Sequence, residues 1–318
     1  MIRLDLITGF LGAGKTTFLL RYADYLLRRG ERLGILVYDH GALNVDLPLL
    51  GALRSDRCEL ETLAGGCGAD CHRRRFRTKL IAMSMGDYDR VIIEPSGVFD
   101  MDEFFDTLHE PPLDQKYEIG SIITIVDAKL ENSLSAEEDF FLASQAADAG
   151  AVVLSRCQLA APEEISGCLD HLDRAAAKIH CKEPLRSKLV AKDWAFLTDE
   201  DFASLSNCGY VPADYVKTIA GSSGSFQSLP FLGLSLDMDA LRKKTHVLFE
   251  DARYGRVLRV KGIVEDNERF YQLNATPGEF QITPTDSGRP ALLVIGMDLN
   301  EDAVTLLLTG AKPEHHIL

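Results

Sequence analysis

The sequence has no excess of basic residues, no long apolar run and no leader-like start, and each absence removes a class of function. Its 318 residues carry 34 Lys and Arg against 48 Asp and Glu, a formal net charge of −14. A chain of that sign lacks the broad cationic face that nonspecific nucleic-acid binding needs, so nucleic acid is not an expected partner. No stretch approaches the roughly eighteen apolar residues of a membrane span. The opening residues lack a charged n-region, an apolar core and a cleavage site. A soluble, cytoplasmic protein with no membrane partner is the expectation. Cysteine is sparse and odd in number, seven residues scattered between Cys58 and Cys208. Such spacing suits reduced thiols rather than a disulfide framework, which leaves metal or redox chemistry for them. At 46% hydrophobic and 26% charged the composition is globular, and the length suits about two domains.

What is present begins at Gly9-Phe10-Leu11-Gly12-Ala13-Gly14-Lys15-Thr16, followed by Thr17. This is the G-x-x-x-x-G-K-[ST] pattern: a glycine-rich loop whose backbone N–H groups wrap phosphates, a lysine for the β/γ oxygens and a hydroxyl for Mg²⁺. Leu4, Leu6 and Ile7 form a strand-like run before it, and Phe18, Leu19, Tyr22, Ala23, Leu26 and Leu27 fall at helical spacing after it. Strand, loop and helix are the order this motif requires.

The α/β rhythm continues. Leu33–Tyr38, Arg90–Ile93, Ile119–Val126 and Ala151–Leu154 are short apolar runs bounded by polar or turn residues, as buried parallel strands should be. Residues 163–180 carry an apolar stripe through Ile165, Leu169, Leu172 and Ala176, with Cys168 on the same face. The pattern predicts an α/β fold, a doubly wound and mostly parallel sheet of the P-loop NTPase kind with its ligand at the strands' carboxyl ends, followed by a smaller α+β domain. Two of those ends carry acids. Glu94 opens Glu94-Pro95-Ser96-Gly97, a segment suited to holding a magnesium-bound water and sensing a γ-phosphate, and Asp127 closes the next run.

GFLGAGKTT, ILVYDHGALNVD, LETLAGGCGADC, RVIIEPSG, TIVDA and QAADAGAVVLSRCQL stand in this order, and together they resemble the CobW family of P-loop GTPases, cobalamin-synthesis-protein-like metallochaperones. The resemblance implies GTP and Mg²⁺ as cofactors, with ATP as the alternative nucleotide. It assigns nucleotide contacts to Gly9, Gly12, Ala13, Gly14, Lys15, Thr16, Thr17, Gly97, Ser155, Arg156 and Gln158. Magnesium falls to Thr16, Asp39 and Glu94, and catalysis to Lys15, Glu94 and Asp46. Three motifs depart from the family's. Tyr38-Asp39-His40-Gly41 replaces Asn-Glu-Phe-Gly, keeping an acid shortened by one methylene. Ser155-Arg156-Cys157-Gln158 replaces the guanine-reading Asn-Lys-x-Asp. Gln158 offers one acceptor and one donor where an aspartate offers two acceptors, so a reduced preference for GTP over ATP is expected. Cys67-x-x-x-Cys71-His72 replaces Cys-x-Cys-Cys. Two thiolates and an imidazole, with Asp70 or a partner as a fourth ligand, suit Zn²⁺ or Co²⁺ as cargo; the competing reading is a pair of thiols without a metal.

A Gly/Ser/Pro-rich stretch, residues 204–233, reads as a linker between a nucleotide domain at 1–203 and a second domain at 234–318. In that second domain strands are expected near 258–264, 270–273, 279–282 and 291–295, with a helix at 301–308 and Arg259 and Lys261 on a solvated face. Two functions follow. One is a nucleotide hydrolase of the CobW type whose hydrolysis drives metal release to a client metalloprotein or cofactor enzyme. The other is a nucleotide-gated protein-binding module without metal cargo. A nucleotide-dependent homodimer is a further association the resemblance allows.

Overall fold

The computed structural model describes residues 1–38, 50–63, 69–130, 134–215, 226–234, 237–267, 269–285 and 290–310, with the side chains of 69–72 and 226 outside that description. The chain divides into two compact units, one built on 1–39 and 50–221, the other on 40–49 and 222–318.

In the first unit, strands β1 (Ile2–Thr8), β2 (Leu33–Tyr38), β3 (Cys58–Leu63), β4 (Arg90–Pro95), β5 (Tyr117–Asp127), β6 (Ala151–Ser155) and β7 (Leu189–Val190) form one sheet in the order β3-β2-β4-β1-β5-β6-β7. Every pairing in it is parallel. Parallel strands cannot be joined by hairpins, so helices must cross over and cover the faces, which explains the near-continuous apolar runs. Leu4, Leu6, Val91, Ile93 and Leu154 pack with Phe76 and Leu80 of helix α2 (Ala69–Met83), Phe104 of α3 (Met101–His109), Leu142 of α4 (Ala136–Asp148) and Leu172 of α5 (Pro162–Lys178). Cys168 is buried in the same core, as its stripe position predicts. Helix α1 (Lys15–Arg28) meets α6 (Asp199–Leu205) through Phe202, whose ring lies 6.2 Å from that of Phe18 and 5.5 Å from that of Tyr25. The central position of β1 puts the loop after it at the middle of the sheet's carboxyl edge, between β4 and β5.

Beneath that edge, β1 buries a charge. Asp5 is fully buried and accepts from Tyr22 Oη at 2.6 Å, Arg90 Nη1 at 2.5 Å and Ser121 N at 2.7 Å, while Arg90 also bonds Glu31 at 2.8 Å. These bonds tie β1, α1, β4 and β5 together. Burial and the Asp5 carboxylate push the Tyr22 phenol well above its usual range.

The second unit is an antiparallel sheet in the order β11-β10-β9-β12-β8, made of β8 (Phe226–Leu232), β9 (Arg256–Asp266), β10 (Arg269–Thr276), β11 (Glu279–Thr285) and β12 (Ala291–Met297). Helices α7 (Met238–Glu250) and α8 (Glu301–Thr309) supply Leu241, Leu248, Val304 and Leu308 to the core on one face. The stretch read as linker contains β8, paired with β12 through Leu293↔Pro230. As an edge strand it tolerates Pro230, the residue that most weakens its signature in the sequence. Lys261 corrects an expectation. It is 4% exposed, not on a solvated face, because it lies in register between Asn274 of β10 and the fully buried Leu293 of β12, with Ile263 two residues on also buried; Arg259 bonds Asn274 at 2.9 Å.

Candidate nucleotide site

Gly14 ends the glycine loop at φ 97° and ψ 21°, a left-handed conformation open to glycine at no steric cost. Helix α1 begins at the next residue with no side-chain cap. Its first-turn N–H groups therefore face the loop's concavity, an arrangement suited to anions. Lys15, 7% exposed, turns back over the loop and donates from Nζ to Gly9 O at 2.9 Å and Phe10 O at 3.4 Å. Ala13 N closes the turn on Phe10 O at 3.2 Å. The loop thus holds an ammonium group at its own mouth.

One residue on, the Thr16 hydroxyl donates to Glu94 Oε1 at 2.6 Å, joining α1 to the carboxyl end of β4. A hydroxyl and a carboxylate, both hard oxygen donors beside a phosphate loop, are the donor set Mg²⁺ takes. Bound there, the ion would neutralise charge on phosphate oxygens. Gly97, on the loop after β4, lies against the glycine loop so closely that a Cβ on it would stand 2.5 Å from Leu11 N. Only glycine fits that approach.

Gln145, which the sequence reading passed over, anchors this segment from α4. Its Nε2 donates to Gly97 O at 3.3 Å and Phe99 O at 3.2 Å, and its main-chain carbonyl is held by Thr124 Oγ1 at 2.7 Å. It lies inside the recognised QAADAGAVVLS stretch. An isolated glutamine on a helix gives no sign of which backbone it will hold.

On the other side of the loop, Ser155 is buried at the end of β6, and Arg156 takes a left-handed turn at φ 57°. Arg156 bonds Gly12 O at 3.2 Å and makes a close ion pair with Asp127. The strand pairing Asp127↔Ser155 brings these two together, which neither motif reveals alone. Gln158 and Thr17 are exposed, and neither is hydrogen-bonded through its side chain among the described residues. Asp39, Asp46 and Cys67 lie outside the described residues; Asp70, Cys71 and His72 lie in the first turn of α2, with side chains outside that description. Among the described residues no group of three or more His, Cys, Asp or Glu could hold a metal ion, and no helix is long and apolar enough to cross a membrane.

A parallel sheet with a glycine loop after its central strand, a lysine and threonine opening the next helix and an acid at the adjacent strand end define a P-loop NTPase. The chain belongs to the CobW/HypB/UreG family, whose nucleotide-binding-domain model matches residues 4–185. Among curated relatives, it is 30% identical to the zinc chaperone YeiR of Escherichia coli (strain K12) over 167 residues, covering 51% of this chain and 49% of YeiR. The match therefore spans about half of YeiR's length. It is 25% identical to the zinc chaperone YjiA of the same organism over 345 aligned positions, covering 98% of this chain and 99% of YjiA. With the zinc-regulated GTPase metalloprotein activator 1 of Schizosaccharomyces pombe it shares 25% identity over 52% of this chain and 41% of that protein.

Proposed function

We propose that this protein hydrolyses GTP slowly and couples the nucleotide state to carriage of a zinc ion for a client protein in the cytoplasm. The observation that carries the reading is the 2.6 Å bond between Thr16 and Glu94 beside the Lys15 ammonium. In one place it assembles the donors for the phosphates and for the magnesium that accompanies them. In this reading Lys15 binds the β/γ oxygens, Thr16 and Glu94 hold Mg²⁺ or its water, and Gly97 senses the terminal phosphate. The relatives, two zinc chaperones and a zinc-regulated GTPase metalloprotein activator, support zinc as cargo and a protein as recipient. Asp39 and Asp46 complete the proposed magnesium and catalytic set, and Cys67, Cys71 and His72, with Asp70 or the client as fourth ligand, form the proposed cargo site.

Glu94→Gln keeps an acceptor for the Thr16 hydroxyl and removes one negative charge. Nucleotide affinity should stay within about threefold while turnover falls about 10²-fold. Single-turnover hydrolysis measured beside equilibrium binding checks this, and unchanged turnover would remove Glu94 from the mechanism.

Metal binding tests the cargo. Thiolate and imidazole must shed protons to bind, so affinity for Zn²⁺ should fall steeply as pH drops from about 8 to 6. Titration with Co²⁺ should give an intense near-ultraviolet thiolate charge-transfer band, absent in the double variant Cys67→Ser, Cys71→Ser. Affinity should also differ between complexes with GDP and with a nonhydrolysable GTP analogue. A band that survives the double substitution, or affinities blind to the nucleotide, would refute carriage of metal at this site.

A further inference from the structure

The segment after β7 carries a carboxylate to which the motifs give no role. β7 pairs with β6 through Val152↔Leu189 and Val153↔Val190, so Ala191, Lys192 and Asp193 leave the sheet alongside Leu154, Ser155 and Arg156. That is the carboxyl edge, where ligands of parallel sheets bind. Trp194 pins the segment there. Its Nε1 donates to Leu154 O at 2.9 Å, and its carbonyl accepts from Arg21 Nη1 at 2.8 Å. A Cβ placed on Gly14 would lie 3.4 Å from the indole ring and 3.7 Å from Ser155 Cβ. The phosphate loop, the end of β6 and the segment after β7 therefore converge on one point.

Asp193 sits immediately before that point, half-buried. Its Oδ1 accepts from Ala195 N at 2.9 Å, which orients the side chain; its Oδ2 makes no hydrogen bond among the described residues. Its charge is felt at the next motif residue: burial first, then the carboxylates of Asp193 and Asp127, hold the Cys157 thiol above its usual range. Asp127 is engaged by Arg156. Gln158 is exposed, and its carboxamide presents one acceptor atom beside a donor where a carboxylate presents two acceptor atoms.

Guanine presents N1–H and an N2 amino group, two donors side by side, which a carboxylate satisfies and a carboxamide does not. We infer that Asp193, from the segment after β7, supplies the guanine-reading carboxylate that this chain lacks at Gln158. The inference rests on the GTP reading above. It reverses the expectation drawn from Gln158 alone: the wild-type protein discriminates strongly for GTP over ATP, because adenine offers N1 as an acceptor against the carboxylate.

Asp193→Asn is the decisive variant. The amide oxygen still caps Ala195 N, so the turn is kept, while the other atom changes from acceptor to donor. Xanthine carries a donor at N1 and an acceptor at O2, the pattern an asparagine matches. Equilibrium competition among GTP, ATP and xanthosine triphosphate is measured for wild type, Asp193→Asn and Gln158→Ala. In Asp193→Asn, GTP should bind about 10- to 100-fold more weakly and xanthosine triphosphate at least about tenfold more tightly, with ATP no weaker than in wild type, because the new amide donor no longer opposes adenine N1. Gln158→Ala should leave all the ratios within about threefold. Parallel weakening of all three nucleotides in Asp193→Asn would reduce Asp193 to a loop support and overturn the assignment. So would a wild type that takes ATP or xanthosine triphosphate as readily as GTP. A wild type that binds none of the three would overturn the nucleotide reading itself, and this assignment with it.

Discussion

Lys15→Ala is expected to lower kcat/KM for GTP hydrolysis by about 10³-fold, because the substitution removes the charge-assisted side-chain donor from the β/γ oxygens and leaves them to backbone N–H groups and the magnesium ion. The ammonium is already confined at the loop's mouth by Gly9 O and Phe10 O, so the wild-type site has little left to arrange when phosphate arrives. Preorganisation of that kind makes a single charge count heavily. Thr16→Ala should fail differently. It removes a hydroxyl that bonds Glu94 and serves the magnesium ion, so raised Mg²⁺ should restore part of its activity and none of that lost in Lys15→Ala. Initial rates over a magnesium series separate the two, and a Lys15→Ala protein of ordinary turnover would remove the phosphate role of the loop.

The second large effect is on stability. Asp5→Ala deletes the acceptor of three hydrogen bonds and leaves the Arg90 guanidinium inside the protein with Glu31 as its remaining carboxylate partner among the described residues. Breaking a buried pair from one side costs about 3–5 kcal/mol, since the charge left behind stays desolvated. In a unit of this size that corresponds to a fall in melting temperature of roughly 10 °C. Asp5→Asn, which can still accept from Ser121 N, should fall between wild type and alanine. Calorimetric or denaturant unfolding of the three proteins gives the values. A loss below about 1 kcal/mol for Asp5→Ala would mean that the cluster adds nothing beyond filling space.

The contrast between these residues shows what a sequence can disclose. The phosphate loop is legible because its chemistry is local: glycines, lysine and threonine lie in one short segment, and the strand and helix that hold it carry their own periodicities. Strands β2, β4, β5 and β6 are legible for a similar reason, being buried on both faces. Strand β3 is not, because CELETL at the sheet edge mixes charges with apolar residues and mimics a loop. The burial of Lys261 depends on which strands flank β9. The pairing of Arg156 with Asp127, and the grip of Gln145 on Gly97 and Phe99, join residues 29 to 48 positions apart. No periodicity encodes such meetings. They follow from strand order and register, which exist only once the sheet has formed.

The packing of Trp194 has a further use. It is the single tryptophan of the chain, and its ring lies edge-on to Phe18 at 5.5 Å, in reach of Gly14. Indole emission excited at the red edge of the absorption band therefore originates from one location, the flank of the phosphate loop. The protein carries its own optical probe there, with no dye to attach and no competing fluorophore of the same kind to subtract. Changes of packing at the loop can be followed in stopped flow on the unmodified chain.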